Sequence, residues 1–474
     1  MIPRPPGLAT KLFYGFGSVA FGVKDNGFSY LLLLFYNQVL GLPEQWVGLA
    51  LFVALVADAV FDPIVGHLSD HLHSRWGRRH PFLYGSALPV AASYFFLWNP
   101  PAGLSPRELL AYLVVVAIVV RTFIAFYEIP SSSLVPELTD RYDERTALVG
   151  YRFFFGWWGG LTMSALAFLL FLRPSASHPV GVLNPAGYGA YGLAASVVMA
   201  IAILVSALGT HACIPHLKQP PPPQPFDPRR SLGELRETVS NRSFLALLGA
   251  AIFGSMALGI VAALNVYFGT FFWELSSDQL SLLVFANFLS AAFGVVLAPI
   301  LSRRLGKKAG AIALALAALV LGPAPVVLRL VGLFPENHAP ALLPLLAIFN
   351  TVVVALFIAS SVLIASMGAD VVEDSELSTG RRSEGVFFAA SSFVQKSVSG
   401  VGIFASTLLL GAIGFPRGAK PGEVDPAVVR ALGIVYVPLL AGLFLASIAC
   451  LSGYRITRDS HEANLRRLSG EGVP

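Results

Sequence analysis

Runs of about twenty apolar residues recur from one end of this 474-residue chain to the other, and no other feature narrows its fold as much. Such a run matches the ~20 residues that carry a helix across a bilayer's hydrocarbon. No water is present there, so each segment must satisfy its own backbone hydrogen bonds, which a helix does. Twelve spans are expected. The first six are Leu12–Leu40, Trp46–His67, Phe82–Trp98, Leu109–Ser133, Thr146–Leu172 and Tyr188–Cys213. The second six are Phe244–Trp273, Leu280–Leu301, Ala309–Leu333, Ala341–Met367, Gly385–Ile413 and Val428–Tyr454. The first run is too long for a cleavable signal and no small-residue cleavage site follows it, so it is expected to be a retained span. Hydrophobic residues make up 55% of the chain and charged ones 12%, against about 25% charged in a soluble domain. The fold class expected is an all-α membrane protein, twelve helices in two six-helix halves.

The formal charge of +5 invites a nucleic-acid partner, but its placement argues for topology instead. Lys and Arg gather in alternate loops: Arg75, Arg78 and Arg79; Arg141 and Arg145; Lys218 to Arg242; Arg303 to Lys308; Arg381 and Arg382; and the tail from Arg455. The intervening loops hold few. This positive-inside pattern puts both termini in the cytoplasm of a multi-pass protein in the plasma (inner) membrane. No nucleic acid is expected as a partner; the bilayer is. Cys213 and Cys450 lie near cytoplasmic ends of spans, without metal spacing and with no disulfide expected.

One break in composition divides the chain. Residues 214–242 turn polar and proline-rich, with four consecutive prolines at 220–223 that favour an extended segment. Ser231–Glu234 then reads as a capping box opening a short helix to about Val239. The expected organisation is a bundle over 1–213, a cytoplasmic linker over 214–242, a second bundle over 243–454 and a cytoplasmic tail over 455–474. Two six-span halves joined this way is the repeat plan of many secondary transporters. Basic motifs at Gly66–Arg79, after span two, and at Leu301–Lys308, after span eight, occupy matching places in the two halves.

Ionisable side chains within spans cost ~2.5–3.5 kcal/mol each on insertion scales, so each calls for a role. Eight stand out: Lys24, Asp25, Asp58, Asp62, Arg121, Glu128, Arg152 and Lys396, four acids and four bases. Asp58 and Asp62, four residues apart, stack on one helix face. Like charges so close raise one pKa or require a cation between them, and carboxylate oxygens suit a hard cation. Pro63 and Pro130 free the carbonyls of Ala59 and Phe126 as further oxygens. Asp58, Asp62 and Glu128 are therefore the candidate ligands of a monovalent cation; a structural ion-pair network is the alternative. Arg121 is placed to pair with Asp25 or Glu128, Lys24 to snorkel, and Lys396, in a polar stretch of span eleven, to face a cavity. An acidic loop, Asp370–Glu376, runs on to Arg381–Glu384 and, with the basic loops on the same side, is read as a cytoplasmic gate of ion pairs, a plain solvated charge run being the alternative. The gating residues expected are Arg78, Arg79, Asp370, Glu373, Arg382 and Glu384. The histidines at 67, 71, 73 and 80 fall in a basic loop without metal spacing, which counts against a membrane-embedded enzyme.

The segments Lys11–Gly17, Phe35–Gly41, Asp58–Pro63, Ser74–Arg78, Ile129–Pro136, Asp370–Glu373 and Arg382–Gly385 resemble the glycoside–pentoside–hexuronide:cation symporter family, in order and spacing over nearly the whole chain. That family also includes animal lysophospholipid symporters. The resemblance implies the major facilitator fold, with Asp58 and Asp62 as cation ligands and Glu128 where the family carries an aspartate. It places Arg152 in the sugar site and Lys396 near the cation site. Gly22 stands where the family has a sugar-binding aspartate, with Asp25 a turn further on, and Ser132 stands where a tryptophan stacks on the sugar. The resemblance therefore implies a coupling apparatus that is kept and a sugar surface that has changed. The reading is a non-enzymatic symporter working as a monomer, coupled to Na⁺, Li⁺ or H⁺ with no cofactor. Its solute is a sugar or glycoside, an amphiphile being the alternative, and Asp25, Arg121, Arg152 and Lys396 are the candidate solute contacts.

Overall fold

A computed structural model gives the fold, and it describes residues 7–139, 142–176, 178–217, 241–379, 384–456 and 460. Every expected span falls on helix. The first is broken: α1 (Leu8–Phe16) and α2 (Val19–Asn26) are followed by π-helical turns at Gly27–Leu31 and Phe35–Val39 around the short turn Leu32–Leu34. Spans two to six are α3 (Glu44–His71), α4 (His80–Trp98), α5 (Pro106–Ser132), α6 (Tyr142–Leu166) and α7 (Pro185–His211). The later spans are α8 (Arg242–Tyr267), α9 (Ser277–Leu305), α10 (Lys307–Leu321) with α11 (Ala324–Leu330), α12 (Leu342–Thr379), α13 (Glu384–Ala412) and α14 (Pro426–Ser452). Among the described residues nine helices are long and apolar enough to cross a membrane. The short helix expected from Ser231 lies outside the described residues.

One expectation is corrected here. Asp370–Glu376 is not a loop, because α12 continues for 38 residues through all of it to Thr379. Neither glycine nor proline interrupts the sequence between Ala369 and Thr379, and a helix can continue in water where nothing breaks it. At 1.5 Å per residue, α12 is about 57 Å long, well beyond the ~30 Å of hydrocarbon.

By packing, the chain divides into two units. The first comprises Met1–Gln224, Ala262–Phe285 and Ile403–Val424; the second comprises Pro225–Val261, Ala286–Gly402 and Asp425–Pro474. In the first unit α4 lies along α7, α3 along α5, and α2 along α6. The α2–α6 contact is backbone against backbone: a Cβ placed on Gly22 would stand 1.9 Å from the Gly156 carbonyl oxygen. The second unit packs α10 against α12 and α14, around a core that includes Phe244, Leu314, Leu363, Met367 and Tyr454.

Candidate functional site

Seven of the eight charges expected inside the spans, all but Lys396, lie in the first unit. Asp58 sits mid-way along α3 with 2% of its surface exposed, and Asp62 is half-buried one turn on. α5 packs along α3 and brings Arg121 to Asp58, where Nη1 donates to Oδ2 at 3.1 Å. Both side chains are buried. The Arg121 guanidinium also lies 4.6 Å from the centre of the Phe28 ring, which the first π-helical turn presents. A buried guanidinium against an aromatic face is favourable where water is excluded. Arg121 thus pairs with Asp58, and not with Asp25 or Glu128 as its spacing suggested. Helical spacing within α5 points Arg121 toward Glu128, but the rotation of α3 against α5 decides the partner.

A second polar centre lies on the same helices. Arg152 of α6 donates from Nη1 to Tyr14 Oη at 3.1 Å and to Ser131 Oγ at 3.0 Å. Tyr14 Oη in turn donates to the Ser131 carbonyl at 2.8 Å. The Arg152 guanidinium stands 5.7 Å from the Tyr14 ring centre and 5.6 Å from that of Phe21. Helices α1, α5 and α6 therefore meet at one fixed cation with donors to spare, the arrangement that binds hydroxyl or phosphate oxygens. Tyr14, Phe21, Phe28 and Ser131 were not singled out from sequence. The tyrosine lies within the quoted Lys11–Gly17 motif, and its value emerges only from its cross-helix partner.

Asp25 is exposed and forms an ion pair at 2.5 Å with Lys24. Lys24 is 3% exposed, so it is held inside and does not snorkel; the carboxylate of its chain neighbour satisfies it. Gly22 carries no side chain because the Gly156 backbone occupies that space. Glu128 is half-buried on α5. Among the described residues no three His, Cys, Asp or Glu side chains converge as a metal ion would require. Arg121 stands beside Asp58, and Asp62 and Glu128 lie half-buried on α3 and α5.

Each unit also has an ion cluster at the loop-bearing ends of its helices. In the first, Arg78 donates to Glu137 at 2.7 and 3.1 Å. Arg79 bonds Glu137 at 3.2 Å, Ser69 at 2.6 Å and also Asp70. In the second, Lys307 Nζ donates to both Asp370 oxygens, at 2.6 and 2.8 Å, and Tyr454 Oη reaches Asp370 at 3.4 Å. Arg78, Arg79 and Asp370 are thus each tied within their own unit. Arg382 and the side chains of Glu373, Glu384 and Lys396 lie outside the described residues.

At the other end of α3, a polar clasp closes the first unit. Tyr267 Oη donates to Asn37 Oδ1 at 2.6 Å, and Gln38 Nε2 donates to the same oxygen at 2.8 Å. Gln38 also takes the Ala419 N–H at 3.0 Å and reaches the Pro416 carbonyl at 3.3 Å. Glu44 meets Arg417 at 3.5 Å. These contacts join the ends of spans one, two, seven and eleven.

A family model described as MFS/sugar transport protein matches residues 13–458. The chain belongs to this family of major facilitator transporters. It is 26% identical to an isoprimeverose transporter of Lactiplantibacillus pentosus, over 93% of this chain and 87% of that one. It is 27% identical to the sphingosine-1-phosphate transporter MFSD2B of Mus musculus, over 97% of this chain and 92% of that one. The solved D-xylose–proton symporter shares the fold, with a TM-score of 0.61, 16% identity, and coverage of 95% of this chain and 98% of that one. The twelve-span, all-helical reading stands as that fold, and the chain is a multi-pass transporter.

Proposed function

We propose that this transporter is a symporter moving a sugar or glycoside-like solute with Na⁺, Li⁺ or H⁺ by alternating access. It does so as a monomer in the plasma membrane, with both termini and the 214–242 linker in the cytoplasm. Arg152, with Tyr14 and Ser131, binds the polar part of the solute. Asp58 and Asp62 take the coupling cation, with Glu128 nearby on α5. The observation that carries the reading is the buried Arg121–Asp58 pair. A buried carboxylate requires positive compensation, and Arg121 supplies it here through a side chain that an incoming cation can replace. A cation at Asp58 and Asp62 competes with Arg121 and releases its guanidinium. Because α5 carries both Arg121 and Ser131, that release is felt at Arg152 through the helix both centres share. The family's sugar-transport description supports the sugar, and the isoprimeverose relative adds weight.

The test is uptake by purified protein in proteoliposomes, with Na⁺, Li⁺ or pH gradients imposed one at a time. Accumulation should follow one of them. Asp58→Asn and Asp62→Asn should each lose accumulation yet keep solute exchange down its own gradient. If both accumulate solute like the parent, the coupling site is elsewhere.

A further inference from the structure

Four histidines lie between residues 67 and 80, and the charged centres described above use none of them. Span two is expected to end at His67, which would leave His71 in a loop. Instead α3 runs on to His71, since neither glycine nor proline falls between Gly66 and Leu72. Residues four apart on a helix share a face, so a spacing that means nothing in a loop puts His67 and His71 side by side. Their ring centres are 4.2 Å apart, with 38° between the ring planes. His67 is exposed and His71 half-buried.

The hydrogen bonding of His71 prepares it as a ligand. Its Nδ1 lies 2.8 Å from the His67 carbonyl oxygen, which can only accept, so Nδ1 carries the proton and Nε2 keeps its lone pair. A metal-binding imidazole is normally held this way, by a backbone carbonyl or a carboxylate at its other nitrogen. Two imidazole nitrogens on one ion, each ~2.0–2.1 Å from it, stand at most about 4 Å apart. The rings are already near that spacing and need only turn. Asp70 lies on the same face, three residues from His67, and lends negative charge while bonding to Arg79. No third His, Cys, Asp or Glu converges on the pair among the described residues. That is too few ligands for a resident structural ion and enough for one that exchanges with solvent, water filling the other positions.

We propose that His67 and His71 chelate one borderline transition cation of the Zn²⁺, Ni²⁺ or Cu²⁺ class. Imidazole suits such ions, whereas Mg²⁺ and Ca²⁺ take oxygen ligands, so this site differs in chemistry from the carboxylates Asp58 and Asp62. Its place on α3 gives it a consequence. Ser69 and Asp70 sit inside the chelated turn, and both bind Arg79. Chelation across four residues requires that turn to be helical, so the ion stabilises the turn that holds Arg79. An ion that comes and goes there regulates how readily Arg79 leaves its cluster.

The experiment uses the full-length protein, free of any histidine tag and stripped with chelator. Zn²⁺ alone is titrated by calorimetry and in thermal melts. No solute or gradient is present, so failure of the transport reading leaves this readout intact. The parent should bind one Zn²⁺ that raises its melting temperature. His67→Ala and His71→Ala should each weaken that binding at least about tenfold, since loss of even an outer partner of a metal ligand costs about 10–100-fold. His73→Ala leaves the pair in place and should bind like the parent, and Mg²⁺ should have no effect. Should His71→Ala fail to fold, His67→Ala, which removes an exposed ring, carries the test alone. Hydrogen–deuterium exchange then reads the consequence: Zn²⁺ should slow amide exchange over residues 67–80 in the parent and not in His67→Ala. Zn²⁺ binding that both alanine variants retain in full, or an equal response to Mg²⁺, overturns the site. Binding with unchanged exchange over 67–80 overturns the control of Arg79.

Discussion

Arg121 meets Asp58 in a setting where neither charge has water to fall back on. Both are buried, the guanidinium rests on Phe28, and a single hydrogen bond of 3.1 Å joins the charges. Removing one member of a buried pair typically costs about 3–5 kcal/mol, because the remaining buried charge loses part of its compensation. Arg121→Gln should therefore lower the melting temperature of the purified protein in ion-free buffer at neutral pH. If Asp58 is a cation ligand, adding Na⁺ or Li⁺ should restore much of the loss in the variant and little in the parent. Arg121→Gln with Asp58→Asn removes both charges and should be more stable than Arg121→Gln alone. Thermal melts across salt series, with choline as control, check all three statements. An equal response of parent and variant to every cation would leave Arg121 as a plain structural partner. The sequence made these residues visible by their cost inside a span, but not their pairing. Asp58 and Arg121 are 63 positions apart, and only the packing of α3 on α5 brings them together.

At the level of helices, the sequence carries more. A span is a property of twenty consecutive residues, so all twelve could be placed without knowing their neighbours. Helix ends and breaks are set by contacts and by solvent, and these account for the differences. Span one breaks into α1, α2 and π-helical turns, and α12 runs on past the hydrocarbon to Thr379. The Gly22 position shows how an element's packing settles a site residue. An aspartate there is ruled out by contact with α6, since even a methyl group would overlap the Gly156 carbonyl oxygen. That carbonyl is backbone inside a helix and cannot swing aside, so α2 and α6 would have to separate. Gly22→Ala should lower thermal stability by about 1–3 kcal/mol, the range for overpacked interiors, and Gly22→Asp should cost more. Gly150→Ala, on the same helix α6 with nothing within 4 Å of its Cβ, is the control and should be near neutral. Equal stability for Gly22→Ala and the parent would mean that the helices part without cost.

For the molecule as a whole, a carrier that alternates its access must make and break contacts at each end in turn. The Asn37–Gln38 clasp is placed to be one of these, because it ties the ends of spans one, seven and eleven at the opposite end of α3 from the Asp70–Arg79 cluster. Its members are uncharged amides and a phenol, which sequence reading passes over when it looks for ionisable residues in spans. Neutral hydrogen bonds suit a contact that must open often. Each is worth about 0.5–1.5 kcal/mol net, so one can be lost without unfolding, yet a change of 1.4 kcal/mol moves a two-state population tenfold. The Glu44–Arg417 pair contributes less, since Arg417 is half-exposed and screened by solvent. Tyr267→Phe deletes one bond and keeps the ring that packs on Phe271. It should raise the population open at this end by a few-fold, up to about tenfold. The reporter is a cysteine replacing Phe415, in a chain whose Cys213 and Cys450 are serine, with a membrane-impermeant maleimide added outside intact cells. Labelling should be slow with Tyr267 present, faster with Tyr267→Phe, and faster still when Gln38→Leu removes the bonds to residues 416 and 419. A rate that Tyr267→Phe and Gln38→Leu both leave unchanged would mean that apolar packing alone holds this end closed. If no pair of variants labels from outside, yet all label in permeabilised cells, the clasp faces the cytoplasm and the positive-inside orientation is reversed.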